Sequence, residues 1–173
     1  MSGFRELLRH YIKLIMENSI FINTFDLHNR LFKNTLDGVN NNHSSKKLSK
    51  ETNHMNWIAG HLVSSRHSFA NMLGINEPEK YAALFAERKG LDENKVYPHP
   101  DDIQKEWDKI SVLIRPHLAG ITNDVLSTPL PQPIPVADQT VKGMITFLLD
   151  HEAYHIGQLG ILRKHLGYPA MSY

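Results

Sequence analysis

The chain has 173 residues, 41% of them apolar, which suits one domain with an ordinary buried core over residues 1–173. Its 19 lysines and arginines nearly balance 18 acidic residues, so a net charge of +1 gives no broad basic field, and nucleic acid is not an expected partner. Cysteine is absent, which excludes disulfides, thiolate nucleophiles and cysteine-ligated zinc or iron–sulfur sites.

Arg5, Glu6, Arg9 and Lys13 interrupt the apolar residues of the N-terminal stretch, unlike the core of a signal peptide. No apolar run approaches the roughly 20 residues that span a bilayer, so a soluble, cytoplasmic protein without a membrane partner is expected. Any metal must be held by nitrogen and oxygen. The chain carries 11 histidines, and their placement along the helices decides whether such a site exists.

Phe4, Leu7, Leu8, Tyr11, Ile12 and Ile15 recur at helical spacing. A second helix, or a continuation of the first, reaches about Leu36 on Phe21, Phe25, Leu31 and Phe32. Asp37-Gly38 and the polar tract from Asn40 to Lys50 predict a loop. The next helix starts near Asn53 and extends to about Leu73, with Gly74 at its C-cap. Residues 75–100 hold three prolines and read as a long connection with one short helix around Tyr81 to Arg88.

A further helix begins at Asp101 or Asp102 and proceeds through Ile103, Trp107, Ile110 and Leu113 or Ile114, with Pro116 expected to kink or end it. Pro129, Pro131, Pro133 and Pro135 force an extended crossover. The last helix runs from about Thr140 to Leu166, closed by Gly167 and Pro169. No stretch alternates with period two. The expectation is an all-α four-helix bundle with long crossover connections.

In the last helix, His151 and His155 are separated by ~40° around the axis and can converge on one point. Eleven scattered histidines give roughly 0.7 such pairs by chance, so the pair alone is weak, and an isolated buried histidine is as readily a hydrogen-bonded core residue. His61, in the middle of the second long helix, supplies the missing element. Two imidazoles from one helix and one from a facing helix make a three-nitrogen site with open coordination positions.

Two segments carry a family resemblance. Asn53-His54-Met55-Asn56-Trp57-Ile58-Ala59-Gly60-His61-Leu62 followed by Arg66, and His151-Glu152-Ala153-Tyr154-His155-Ile156-Gly157-Gln158-Leu159 followed by Leu162-Arg163, resemble the signature helices of the DinB/YfiT-like superfamily. The resemblance implies a four-helix bundle, often a homodimer, with one divalent metal ion held by His61, His151 and His155. Zinc or nickel suits three imidazoles, and iron or copper is accepted too. Members of the superfamily include transferases and isomerases that use a low-molecular-weight thiol such as bacillithiol or mycothiol toward a small-molecule substrate. A metal-bound thiol loses its proton near neutral pH, and this chain has no cysteine of its own. The same open site could instead activate water as a hydrolase, or serve a non-catalytic dimeric binding module.

His151 to His155 also satisfies the H-E-x-x-H pattern of zinc peptidases, with Glu152 as the base. That reading is disfavoured, because no acidic ligand follows and Gln158 and Ile161 occupy the positions that metzincins give to glycine and histidine. Glu152 is instead read as a solvated carboxylate or one that orients a ligand imidazole. Trp57, Tyr154, Gln158 and Arg163 are candidates to line a pocket, with ordinary core packing the plain alternative for Trp57 and Tyr154, and a surface ion pair for Arg163. His54, two turns before His61 on a similar heading, could face the mouth of the site.

Overall fold

The computed structural model describes residues 2–85 and 90–172, with side chains from Ser19 onward and that of Phe4. The first helix, α1, spans Ser2–Leu36 without a break, so the second N-terminal stretch continues the first. The positions from Leu7 to Ile15 that suggested its first half lie outside the described side chains. Phe4 is exposed. A one-turn helix, α2 (Asn41–Ser44), sits within the expected polar loop, capped by the Asn40 side chain on the His43 amide.

The helix α3 covers Met55–Met72. It ends where the sequence predicts, because Gly74 takes φ of 82°, a left-handed conformation that costs glycine nothing. Gly74 N–H then donates to Asn71 and Ile75 N–H to Ala70, so carbonyls of the last turn are satisfied. The connection that follows holds α4 (Ala82–Phe85), and the rest of the expected short helix lies outside the described residues. α5 spans Pro100–Gly120 and carries Pro116 inside it. Pro116 therefore does not stop the helix, as the expected alternative had it; placed in the final turns, its missing N–H removes a single bond of the ladder. A further turn, α6 (Asn123–Leu126), precedes the proline-rich crossover, and α7 runs over Val141–His165. Gly167, at φ of 86°, closes it through Tyr168 N–H on Arg163 and Gly167 N–H on Lys164.

No strand forms among the described residues; an isolated antiparallel bridge pairs Pro129 with Thr140 at the base of the crossover. The four long helices pack in a ring, α1 against α5 and α7, and α3 against the same two. Phe21 and Phe25 lie with Ile145 and Leu149, and Phe32 and Leu36 with Ile156 and Leu159, so α1 and α7 run in the same direction. Surface pairs Lys33–Asp108 and Asp26–Arg115 show that α1 and α5 oppose each other. α3 then parallels α5, and the long link between them is the crossover that parallel neighbours require.

Two apolar clusters fill the interior, one around Phe32, Met55, Leu62 and Trp107, the other around Phe25, Phe69, Ile114 and Ile145. The Phe32 and Trp107 rings stack at 3.9 Å between them. Between the two clusters lies a buried polar layer containing Glu152, Arg66 and His28, and the three histidines of interest stand beside it. No described helix is long and apolar enough to cross a membrane.

Candidate metal centre

The wheel positions of α3 and α7 bring His61, His151 and His155 to the seam between the two helices, all half-buried. One nitrogen from each ring lies within 4.8 Å of the other two. His61 Nε2 and His151 Nε2 are 3.1 Å apart. Two imidazole nitrogens bound to one ion at 2.0–2.1 Å stand about 2.8–3.4 Å apart between octahedral and tetrahedral angles, so this separation fits a shared cation.

Two of the three rings are held from outside the cluster. Trp57, one turn before His61, stacks on its ring with centroids 5.1 Å apart and planes 13° from parallel. His155 Nδ1–H donates to Gln158 Oε1 at 2.7 Å, which fixes the tautomer that leaves Nε2 unprotonated. Phe85 packs against the Gly60 backbone, so close that an added Cβ would sit 2.5 Å from its ring, and its centroid is 6.5 Å from that of His61. Phe147 lies 6.1 Å from His151, and Tyr154, 63% exposed, lies 5.0 Å from His155 on the solvent side.

The electrostatics favour neutral rings. Burial, then the neighbouring His151 and His155, push the His61 pKa down from 6.5 to about 4. Burial and His155 also lower His151 against the pull of Glu152 and Asp150, and burial lowers His155 against its bond to Gln158. Near pH 7 the three imidazoles thus offer lone pairs and no charge, the form in which histidine binds a metal. Donor type, separation and tautomer fit a divalent ion.

The family model for the DinB superfamily matches residues 24–159, a span that contains all three histidines. The chain belongs to the DinB superfamily. Its fold is similar to the crystal structure of a DinB-like protein, YjoA, of Bacillus subtilis, with a TM-score of 0.62 at 17% identity over 88% of this chain and 96% of that one. A comparison with curated proteins finds no match.

Within this DinB bundle, several residues singled out in the sequence go elsewhere. Glu152 is neither solvated nor bonded to a ligand imidazole: it is 0% exposed, points into the bundle and meets Arg66 and His28. A peptidase base needs lone pairs free to face water, and those of Glu152 are engaged by Arg66 Nε, Arg66 Nη2 and His28. The H-E-x-x-H spacing is therefore coincidental here. Arg163 is buried rather than at the surface, and donates to the carbonyls of Thr35, Asp37 and Pro169 at the end of α1 and the C-terminal tail. His54 is the N-cap of α3, its Nδ1 accepting from Trp57 N–H at 3.1 Å. Tyr154 is not a core residue but an exposed one at the lip of the triad, whereas Trp57 is both core and the backing of His61. Two surface grooves lie away from the histidines, one between α1 and α5 beside Asn29 and Ser111, the other near Met72, Pro116 and Val141.

The polar layer escaped the sequence reading. Its signal was available: Glu152 falls on the inward face of α7 with Leu148, Ile156 and Leu159, all buried, and a charge on such a face requires a partner.

Proposed function

We propose that His61, His151 and His155 hold one divalent metal ion, and that the protein is a metal-dependent transferase or isomerase acting with a low-molecular-weight thiol. The convergence of three neutral imidazoles from two helices, with separations that suit one ion, carries this reading. When bound, such an ion supplies Lewis acidity that lowers the pKa of a thiol reaching it.

The chain's own residues then have limited tasks. His61 and His151 present Nε2 from facing helices, and Gln158 keeps the His155 ring in the tautomer that presents its own. Trp57 and Phe85 close the inner side against water, while Tyr154 leaves its phenol at the open edge, able to donate to a substrate. Glu152 takes no part in proton transfer. With Glu152 engaged, the H-E-x-x-H carboxylate is not free to act as a base, which favours a thiol that ionises near neutral pH over water, whose activation as a nucleophile gains from a base. The absence of cysteine means that the sulfur must arrive on another molecule.

Zinc-loaded, untagged protein should conjugate bacillithiol, mycothiol or glutathione to an electrophilic substrate, with casein unchanged in parallel. Turnover that requires the thiol and disappears in His155→Ala supports the reading. Hydrolysis of an ester or amide at equal rates with and without thiol would replace it with a hydrolase.

A further inference from the structure

Directly behind the histidines, a second connection joins the same two helices from the inside. Glu152 follows His151 in α7 and turns ~100° away from it, and Arg66 comes five residues after His61 in α3, ~140° around that axis. Both side chains are fully buried. Arg66 Nε donates to Glu152 Oε1 at 2.6 Å and Nη2 to Oε2 at 2.9 Å, a planar two-point bridge.

The other two helices fix this bridge in place. From α1, His28 Nδ1–H donates to Glu152 Oε2 at 3.1 Å, and Asn29 Oδ1 accepts from Arg66 Nη1. From α5, Ser111 Oγ accepts from the same Nη1. The guanidinium lies between the rings of Phe25 and Trp107, its Cζ 4.1 and 3.3 Å from their centroids. Buried charges are stabilising only when their geometry and remaining hydrogen bonds are satisfied, and packed apolar residues of the same size often serve stability as well or better. A pair bonded from all four helices supplies what apolar packing does not, a fixed geometry between the elements it joins.

We propose that the Arg66–Glu152 bridge positions the histidine triad: it fixes the spacing and register of α3 against α7, so that His61 stands opposite His151 and His155 before any ion binds. The inference rests on the metal reading given above. Ligand sets must be held to within about 0.5 Å to bind well, and apolar faces can slide by that amount where a two-point charged bridge cannot. One end of the bridge follows His151 directly, and the other lies within a turn and a half of His61. A shift of either helix would move the bridge and the triad together.

The test uses the full untagged chain and zinc. The double variant Arg66→Met/Glu152→Leu removes both charges without leaving either one orphaned, so the bundle is expected to fold. Its zinc affinity, measured by chelator competition, should fall at least tenfold, the size found when groups supporting metal ligands are removed. The visible spectrum of the cobalt-loaded protein should change as well, while the melting temperature of the metal-free protein stays near that of the parent. If the double variant does not fold, Arg66→Lys, which keeps the opposite charges paired but gives up the planar two-point contact, should likewise lower zinc affinity and change the cobalt spectrum. A folded variant with parental zinc affinity and cobalt spectrum would overturn the inference while leaving the metal reading intact. A parent that binds no zinc would overturn both.

Discussion

Gly143, in the first turn of α7, faces the loop that delivers the chain into that helix. A Cβ added there would lie 1.8 Å from the Asp138 carbonyl oxygen and 2.7 Å from its carbon. Ordinary contact begins near 3.5 Å, so Gly143→Ala forces this backbone to retreat by about 1.7 Å. The retreat disturbs Asp138 Oδ1, which accepts from Thr140 N–H at 3.1 Å and from Thr140 Oγ1 at 2.6 Å. Overpacking costs about 1–3 kcal/mol and the weakened hydrogen bonds about 1 kcal/mol more. Replacing glycine by alanine in a helix returns at most about 1 kcal/mol. The balance is a loss of about 2 kcal/mol, which for a chain of this size lowers Tm by about 4–8 °C. Gly157→Ala, in the same helix, is the control: it is exposed and its Cβ would meet nothing within 4 Å, so the propensity gain stands alone and Tm should rise by about 2–4 °C. Thermal unfolding followed by far-UV circular dichroism reads both. Gly143→Ala melting at or above the parent would refute the steric reasoning.

The remaining predictions concern caps, the tail and pH. His54→Ala removes the N-cap of α3 and should cost about 1 kcal/mol in denaturant unfolding while bound metal per chain is unchanged; lost metal would make His54 a ligand. Tyr168→Phe deletes the hydroxyl that accepts from Asn40 N–H at 3.1 Å and donates to His43 Nδ1 at 3.0 Å, with an expected loss of about 1 kcal/mol. Because burial and its neighbours hold His61 at about 4, below its unfolded 6.5, the unfolded chain takes up that proton first as pH falls. The penalty is absent above pH 6.5, grows as pH falls toward 4 and is complete below it. Metal-free His61→Gln should therefore lose less stability than the parent between pH 7 and 4.5, and parallel curves would contradict the assignment.

Much of the bundle was legible because its determinants are local. The stop of α7 follows from Gly167 alone, and the heading of His151 and His155 from their spacing within one helix. That His61 faces them depends on how α3 meets α7, which spacing within either helix does not encode; the family resemblance supplied it. Pro116 misled because a proline signals a lost bond without saying whether packing tolerates the loss, and Ile114 and Leu118, buried on either side, hold α5 together through it. Arg163 misled for a similar reason. Its partners are backbone carbonyls of Thr35, Asp37 and Pro169, which carry no side-chain signature. The sequence reads Glu152 as a solvated carboxylate or one that orients a ligand imidazole, because nothing within α7 points to Arg66, the partner 86 residues away that decides its role.

Elemental analysis of untagged protein, purified without chelating resin and compared with His61→Ala, His151→Ala and His155→Ala, addresses the central claim most directly. The account predicts close to one zinc or nickel per parent chain and loss of stoichiometric metal in each variant that remains folded. Undiminished metal in folded single variants of all three histidines would contradict it.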